Sequence, residues 1–266
     1  MAIFDDLRQL ELVTATLAPH APSNMTDDPH EKILMLSDEL DLPVHIHLHE
    51  TANEIEHSLV NYGKRPIARL QDLNLLGPNL LAVHLTQIED EEIDMLAEHG
   101  VSAVHCPQSN MKLASGFCPL NKLLDKGMIV GIGTDGAASN NDLDMLDEMR
   151  TAALLAKAVS NNPQSLPAHQ ALEIATLGGA RALGLAEVTG SLEVNKWADM
   201  TAIDLSHPSC QPLYDPISQV VYTASRQQVS DVWVAGNQLV ENHQLTKIDI
   251  KDCLHRAAGW QQKINS

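Results

Sequence analysis

The sequence predicts an α/β fold built on a parallel sheet, and three observations carry that prediction. Short apolar or β-branched runs recur over the first 190 residues with amphipathic stretches between them. Imidazoles and carboxylates stand at the ends of those runs, and beyond residue 190 the alternation gives way to short strand-like runs alone. Strands alternating with helices imply a parallel sheet with helices outside it, either doubly wound or part of a (β/α)8 barrel, with reactive groups at the C-terminal strand ends.

Five strands are predicted over residues 12–18, 43–49, 80–85, 101–106 and 128–134. Helices are predicted over 29–40, 89–99 and 143–160, where Leu, Ile, Met and Ala recur at helical spacing with charges on the opposite face. The acidic run Glu89-Asp90-Glu91-Glu92 suits a first helical turn, where the macrodipole favours negative charge. Past residue 190, strands are expected over 197–203, 219–223, 229–235 and 238–240, followed by a terminal helix over 249–265. The domain division that follows is a catalytic unit over 1–190, a small β unit over 191–246 and a C-terminal helix over 247–266.

The chain has 266 residues, 44% hydrophobic and 20% charged, enough apolar material for a core and too little charge for a disordered chain. Lys and Arg number 17 against 35 Asp and Glu, and a net charge of -18 repels phosphate backbones and anionic headgroups. Nucleic acid and membrane surfaces are therefore excluded as partners. The longest apolar runs, such as 80–83 and 128–132, fall far short of the ~20 residues of a membrane span. The first residues carry no basic stretch followed by an apolar one, and the four cysteines form no C-x-x-C pair. Both features predict a cytoplasmic location.

The polar residues at the strand ends carry the chemistry. His20 follows the first predicted strand, His47 and Glu50 end the second, His84 the third, His105 the fourth and Asp135 the fifth. In the second strand His45, His47 and His49 alternate, so a period of two puts all three on one face, where they could meet a divalent metal or form a polar patch. Gly133-Thr134-Asp135-Gly136 ends a glycine-rich strand, and Asp135 is suited to ligate a metal, to take a proton from water or to cap a helix. His47 and Asp135 together make half of a metal site. A Zn²⁺-type ion lowers the pKa of its bound water to ~7 and so supplies a nucleophile at neutral pH. Glu50, three residues after His47, stands at a turn from which a carboxylic acid could protonate a substrate or begin the next helix.

The combination of His47-Leu48-His49-Glu50, Ala18-Pro19-His20-Ala21-Pro22, Ser109-Asn110-Met111-Lys112-Leu113-Ala114-Ser115-Gly116 and Gly133-Thr134-Asp135-Gly136-Ala137-Ala138-Ser139-Asn140-Asn141 resembles the amidohydrolase superfamily. Within it the sequence is most similar to the 5-methylthioadenosine/S-adenosylhomocysteine deaminase group. The likeness runs from about residue 12 to residue 245 and includes Gly190-Ser191-Leu192 and Lys196-Trp197-Ala198-Asp199, where the family leaves its barrel for a small β-sandwich. The resemblance implies a metal-dependent hydrolytic deaminase of adenosine-type nucleosides that releases ammonia. It implies one Zn²⁺ or other divalent transition metal per site and no organic cofactor. His47 and Asp135 would be metal ligands, Glu50 would bind the purine and move its proton, and Asp135 would also serve as general base. His84 would orient the nucleophile or stabilise the oxyanion, and His20 would contact the ribose.

The sequence also departs from that family. Its first-strand His-x-His, normally a hundred residues or more before the H-x-x-E, has no counterpart in the 46 residues that precede His47. By family correspondence the five predicted strands are the fourth to eighth, giving an incomplete (β/α)8 metal-dependent hydrolase barrel followed by part of the β-sandwich. Open strand edges then imply a homo-oligomer or a complementing N-terminal fragment as partner, besides the purine nucleoside substrate. His45 or His49 are the only substitutes on the same strand for the missing imidazoles. Other readings are hydrolysis of a guanine, cytosine or s-triazine ring, and a catalytically inactive remnant with an interaction role.

Overall fold

The structure, a computed structural model, describes residues 2–7 and 10–265. A short helix α1 (Ala2–Leu7) precedes an extended segment and a 3-10 turn at Pro22–Asn24. Then come α2 (Asp27–Leu40), β1 (Val44–Leu48), α3 (Ala52–Tyr62), α4 (Pro66–Asp72), β2 (Leu80–His84), α5 (Asp90–Glu98) and β3 (Ser102–His105). After β3 follow α6 (Pro107–Lys112), α7 (Leu120–Asp125), β4 (Val130–Ile132), α8 (Ala137–Asn140), α9 (Met145–Ser160), α10 (Ala168–Glu173) and α11 (Gly179–Ala182). The remainder holds β5 (Met200–Ile203), α12 (Pro216–Tyr222), β6 (Val229–Val234), β7 (Asn237–Glu241), β8 (Gln244–Leu245) and α13 (Ile250–Ile264).

Strands β1 to β4 form one parallel sheet in sequence order, with Val44 opposite Leu80, Leu81 opposite Ser102 and Ala103 opposite Val130. Four of the five strands predicted for the first 190 residues are present. The exception is residues 12–18, of which Leu17 alone makes a bridge, to Val44. The segment starts along β1, with His45 N–H donating to the Leu17 carbonyl at 2.8 Å and His47 N–H to the His20 carbonyl at 3.1 Å. Pro19 lies between them without an N–H to return, and Leu12 and Val13 stay exposed with no second strand to cover them.

The sheet packs against its helices through Ile46, Leu48, Leu80, Leu85, Ile93, Leu96 and Met149, all buried. Side chains of this kind each contribute ~1.5–3 kcal/mol on burial. Between α10 and α11 the chain makes a π-turn, Ile174–Gly178, which presses onto β4. A Cβ at Gly178 would stand 2.3 Å from the Val130 carbonyl oxygen, so only glycine allows that approach.

The second sheet is antiparallel in the order β5-β6-β7-β8. Residues 219–223, predicted as a strand, instead belong to helix α12. Asp215 caps that helix by accepting the Ile217 N–H at 3.1 Å, and Pro216 occupies its first position. The β-branched pair Val220-Val221 mimicked a strand, but Val221 is buried where α12 packs on α9 and α10. The strands around 200, 230 and 238, and the terminal helix, are as expected. Among the described residues no helix is long and apolar enough to cross a membrane.

Candidate metal centre

Polar side chains gather at the C-terminal end of the parallel sheet. His47, the penultimate residue of β1, donates its ring Nδ1–H to the His20 carbonyl oxygen at 2.6 Å. That bond commits Nδ1 and leaves Nε2 with a free lone pair. His84 ends β2 and repeats the arrangement, its Nδ1 lying 2.8 Å from Asn110 Oδ1. Its Nε2 is buried and has no hydrogen-bond partner. The two rings stack with centroids 5.3 Å apart, and the His20 ring stands 4.9 Å from that of His47.

Asp135 follows β4 by three residues. Its Oδ2 accepts hydrogen bonds from Ser109 Oγ and Ser139 Oγ, each at 2.7 Å, and its Oδ1 is left 4.0 Å from His47 Nε2. One donor atom each from His47, His84 and Asp135 lies within 4.8 Å of the others. Two imidazole nitrogens with free lone pairs and one carboxylate oxygen, each donor's other polar atom fixed by a hydrogen bond, make a donor set suited to a divalent transition metal. The orphaned Nε2 of His84 fits the same interpretation, because a buried nitrogen without a partner is costly unless something binds it.

The electrostatics keep these groups in ligand form. Burial works against the charge of Asp135, but the Ser109 and Ser139 hydroxyls and the Gly136 N–H together hold its carboxyl below the usual range. Burial pushes the pKa of His84 down, against the opposing pull of Glu50, so the ring favours its neutral form. His105, fully buried at the end of β3, is pushed down to about 4 by burial and lies outside the donor group.

Glu50 reaches the same place from the turn after β1, its Oε2 3.8 Å from His84 Nε2 and its Oε1 3.4 Å from the Ser115 hydroxyl. Glu54, one turn into α3, accepts the backbone N–H groups of His49 at 3.1 Å and Glu50 at 2.7 Å. His20 lies exposed beside the cluster, accepting from Asn24 Nδ2 at 2.9 Å. His20, His47, Glu50, His84 and Asp135 are thus found together at one sheet end.

His49 is not on the face it was expected to share with His45 and His47. Strand β1 stops at Leu48, and His49 takes a left-handed φ of +54° that turns its ring toward the helices. There it is buried, with Nε2 accepting the Ile67 N–H at 3.2 Å and Nδ1 3.4 Å from Glu92. His49 is therefore no substitute ligand. His45 lies one pleat further down the strand and is also outside the donor group. Sequence reasoning gave no role to Ser109, Asn110 or Ser139. Their signal is faint, since serine and asparagine after a strand are ordinary turn residues and only the fold points them at Asp135 and His84.

Residues 2–239 match the Amidohydrolase family. Over 98% of its length the chain is 47% identical to the 5-methylthioadenosine/S-adenosylhomocysteine deaminase of Teredinibacter turnerae, covering 59% of that protein. It is 44% identical over its whole length to the enzyme of the same name from Saccharophagus degradans, covering 60%. Among solved structures, an adenosine deaminase from Xanthomonas campestris with bound zinc superposes with a TM-score of 0.98 at 49% identity, over 99% of this chain and 60% of that one. An atrazine chlorohydrolase from Arthrobacter aurescens complexed with zinc superposes with a TM-score of 0.92 at 26% identity, over 97% of this chain and 58% of that one. The chain spans about three fifths of the length of these relatives. On sequence and fold alike, the chain belongs to the amidohydrolase family.

Proposed function

We propose that the chain serves the hydrolytic deamination of adenosine-type nucleosides, 5′-methylthioadenosine and S-adenosylhomocysteine among them. The observation that carries this reading is the gathering of one donor atom each from His47, His84 and Asp135 within 4.8 Å of one another at a parallel-sheet end, with both ring Nδ1 atoms already engaged. The parallel sheet is read as the later part of a (β/α)8 hydrolase barrel over residues 1–190, and the antiparallel sheet as part of a β-sandwich over 191–246. Residues 247–266 carry the C-terminal helix.

His47 and Asp135 would hold a divalent ion, Zn²⁺ by preference, and His84 offers a third donor beside it. When bound, such an ion activates water at neutral pH and stabilises developing negative charge on oxygen. Asp135, kept ionised by its two hydroxyl partners, takes a proton from the attacking water. Glu50 delivers a proton to the purine ring nitrogen as the oxygen adds to the amino-bearing carbon. His84, neutral and 3.8 Å from Glu50, orients the nucleophile. The carbon–nitrogen bond to the amino group then breaks, ammonia leaving with the proton held by Asp135 while the added hydroxyl returns its proton to Glu50, giving an inosine-type product. His20, exposed beside His47, contacts the ribose. No organic cofactor enters this scheme. The edges of the four-stranded sheet would be covered by a second copy or by a complementing chain. The free cysteines Cys106, Cys118, Cys210 and Cys253 suit a cytoplasmic location.

A second reading, hydrolysis of an amino- or chloro-substituted ring such as an s-triazine, is favoured by the likeness to the atrazine chlorohydrolase. The test is elemental analysis of the purified protein with Asp135→Ala as control, followed by ammonia and chloride release assays. About one zinc per chain, lost in the control, is expected. Ammonia from methylthioadenosine then supports the first reading, and chloride from a chlorotriazine the second. No zinc and no turnover would leave the interaction role.

A further inference from the structure

Behind Asp135 lies a second carboxylate that the deamination scheme does not use. Glu148, in the first turn of α9, is completely buried. Its Oε2 accepts the backbone N–H of Gln108 at 3.3 Å, and its Oε1 accepts from Asn140 Nδ2. Gln108 immediately precedes Ser109, and Asn140 immediately follows Ser139. Those two serines are the ones that grip Asp135 Oδ2. A buried carboxylate therefore joins α6 and α8, the two short helices that carry the hydroxyls, alongside direct bonds from Asn140 Nδ2 to Gln108 Oε1 at 3.4 Å and from Lys112 Nζ to the Ala138 carbonyl at 2.7 Å.

The surrounding bonds fix this arrangement. The Gln108 side chain donates to Asp147 Oδ2 at 2.6 Å and Thr151 Oγ1 at 3.2 Å, anchoring α6 to α9 a second time. Asn140 Oδ1 accepts the Leu143 N–H at 2.9 Å, which sets the amide so that its NH₂ faces Glu148. Both groups facing Glu148 are donors, which its ionised carboxylate accepts at one oxygen each; a glutamine would present its own NH₂ to one of them. On the far side, two hydrogen bonds to one oxygen of Asp135 stop that carboxylate from rotating and leave the other oxygen 4.0 Å from His47 Nε2.

We propose that Glu148 is a positioning residue for the candidate metal centre, acting through Ser109 and Ser139 to present Asp135 Oδ1 as a single-oxygen ligand. The proposal rests on the metal-site reading above, and its test separates the two. Zinc affinity is measured by competition with a chromogenic chelator for the parent, Glu148→Gln, the Ser109→Ala/Ser139→Ala pair and the triple variant, with folding followed by circular dichroism. Glu148→Gln and the serine pair should each lose about 10- to 100-fold in zinc affinity. The triple variant should bind no more weakly than the serine pair, because Glu148 has no other route to the metal. Glu148→Gln binding zinc as tightly as the parent, or a loss that multiplies in full with that of the serine pair, overturns the proposal. Should Glu148→Gln fail to fold, Asn140→Ala carries the same logic: it must weaken zinc binding in the parent and have no effect beside Ser139→Ala. A parent that binds no zinc, or binds it equally well as Asp135→Ala, sinks the metal-site reading and the positioning role with it. A parent that binds zinc through Asp135 but ignores Glu148→Gln sinks the positioning role alone.

Discussion

The two sheets use the same unusual backbone conformation for opposite ends. In the antiparallel sheet, positive φ occurs at Ala235-Gly236 and Asn242-His243, the two-residue turns that reverse the chain between β6, β7 and β8. Such turns match the twist of a hairpin, and the conformation there serves only connectivity. In the parallel sheet it occurs at His49, His84, Leu85 and Asp135, with φ of +54°, +79°, +52° and +61°, where the chain leaves β1, β2 and β4. There it aims side chains, turning His49 away from the site and fixing His84 and Asp135 within it. The difference in packing explains why this is sustainable. Strand β2 is buried at all five positions, whereas none of β5 to β8, and no residue of α13, is buried. A frame packed on both faces holds such residues where their side chains must point inward, whereas the open sheet carries them only at its solvent-facing turns.

That contrast is broken most directly in the core. Leu96→Ala in α5, fully buried, should cost about 2–5 kcal/mol in urea unfolding; a loss under about 1 kcal/mol would show that the parallel half is not the stability centre. Next is Glu92, buried between His49 and Arg65. Burial alone would raise its carboxyl, but hydrogen bonds from His49 and Arg65 bring it down to about 2 from 4.5. Its contribution, about 3 kcal/mol, is present above pH 4.5 and lost as pH falls toward 2. Glu92→Gln should flatten the stability profile over that window. Glu148 has the opposite sign, since burial raises its carboxyl to about 7. Its contribution is present below pH 4.5 and lost as pH rises through 7, so Glu148→Gln should remove a decline in stability between those values.

Two smaller effects sharpen the comparison from the other sheet. Ala235→Gly relieves a left-handed alanine at a turn and should stabilise by up to about 1 kcal/mol. Trp260→Ala in α13, where Trp260 is 61% exposed, should change melting by no more than about 0.5 kcal/mol allows. A larger drop would mean that α13 is covered in solution.

Much of this was legible in the sequence because parallel strands are short, apolar and bounded by polar residues. The alternation over 43–49, 80–85, 101–106 and 128–134 marked β1 to β4 and put His47, His84 and Asp135 at their ends. Periodicity could not foresee that the run at 12–18 lacks a second neighbour, since pairing is a property of the sheet. It favours a strand at Val220-Val221 because β-branching there outweighs the helix-start signal of Asp215-Pro216. The turn of His49 away from its strand was hidden for a related reason. A period of two holds only while the strand lasts, and no feature of His47-Leu48-His49 announces that it ends at Leu48.

The left-handed strand ends also bear on which metals the site could be rebuilt to hold. Histidine, aspartate and asparagine enter that backbone region more readily than most residues, whereas β-branched side chains are strongly disfavoured there. Positions 84 and 135 therefore admit a narrow set of replacements, and the imidazole and short carboxylate they carry are among the few ligands in it. A glutamate or cysteine introduced to favour a harder or softer ion would meet resistance from the main chain before its coordination chemistry came into play. Altering the ion preference of the proposed centre would thus mean redesigning the loops after β2 and β4, with the backbone constraining the choice of donor atoms.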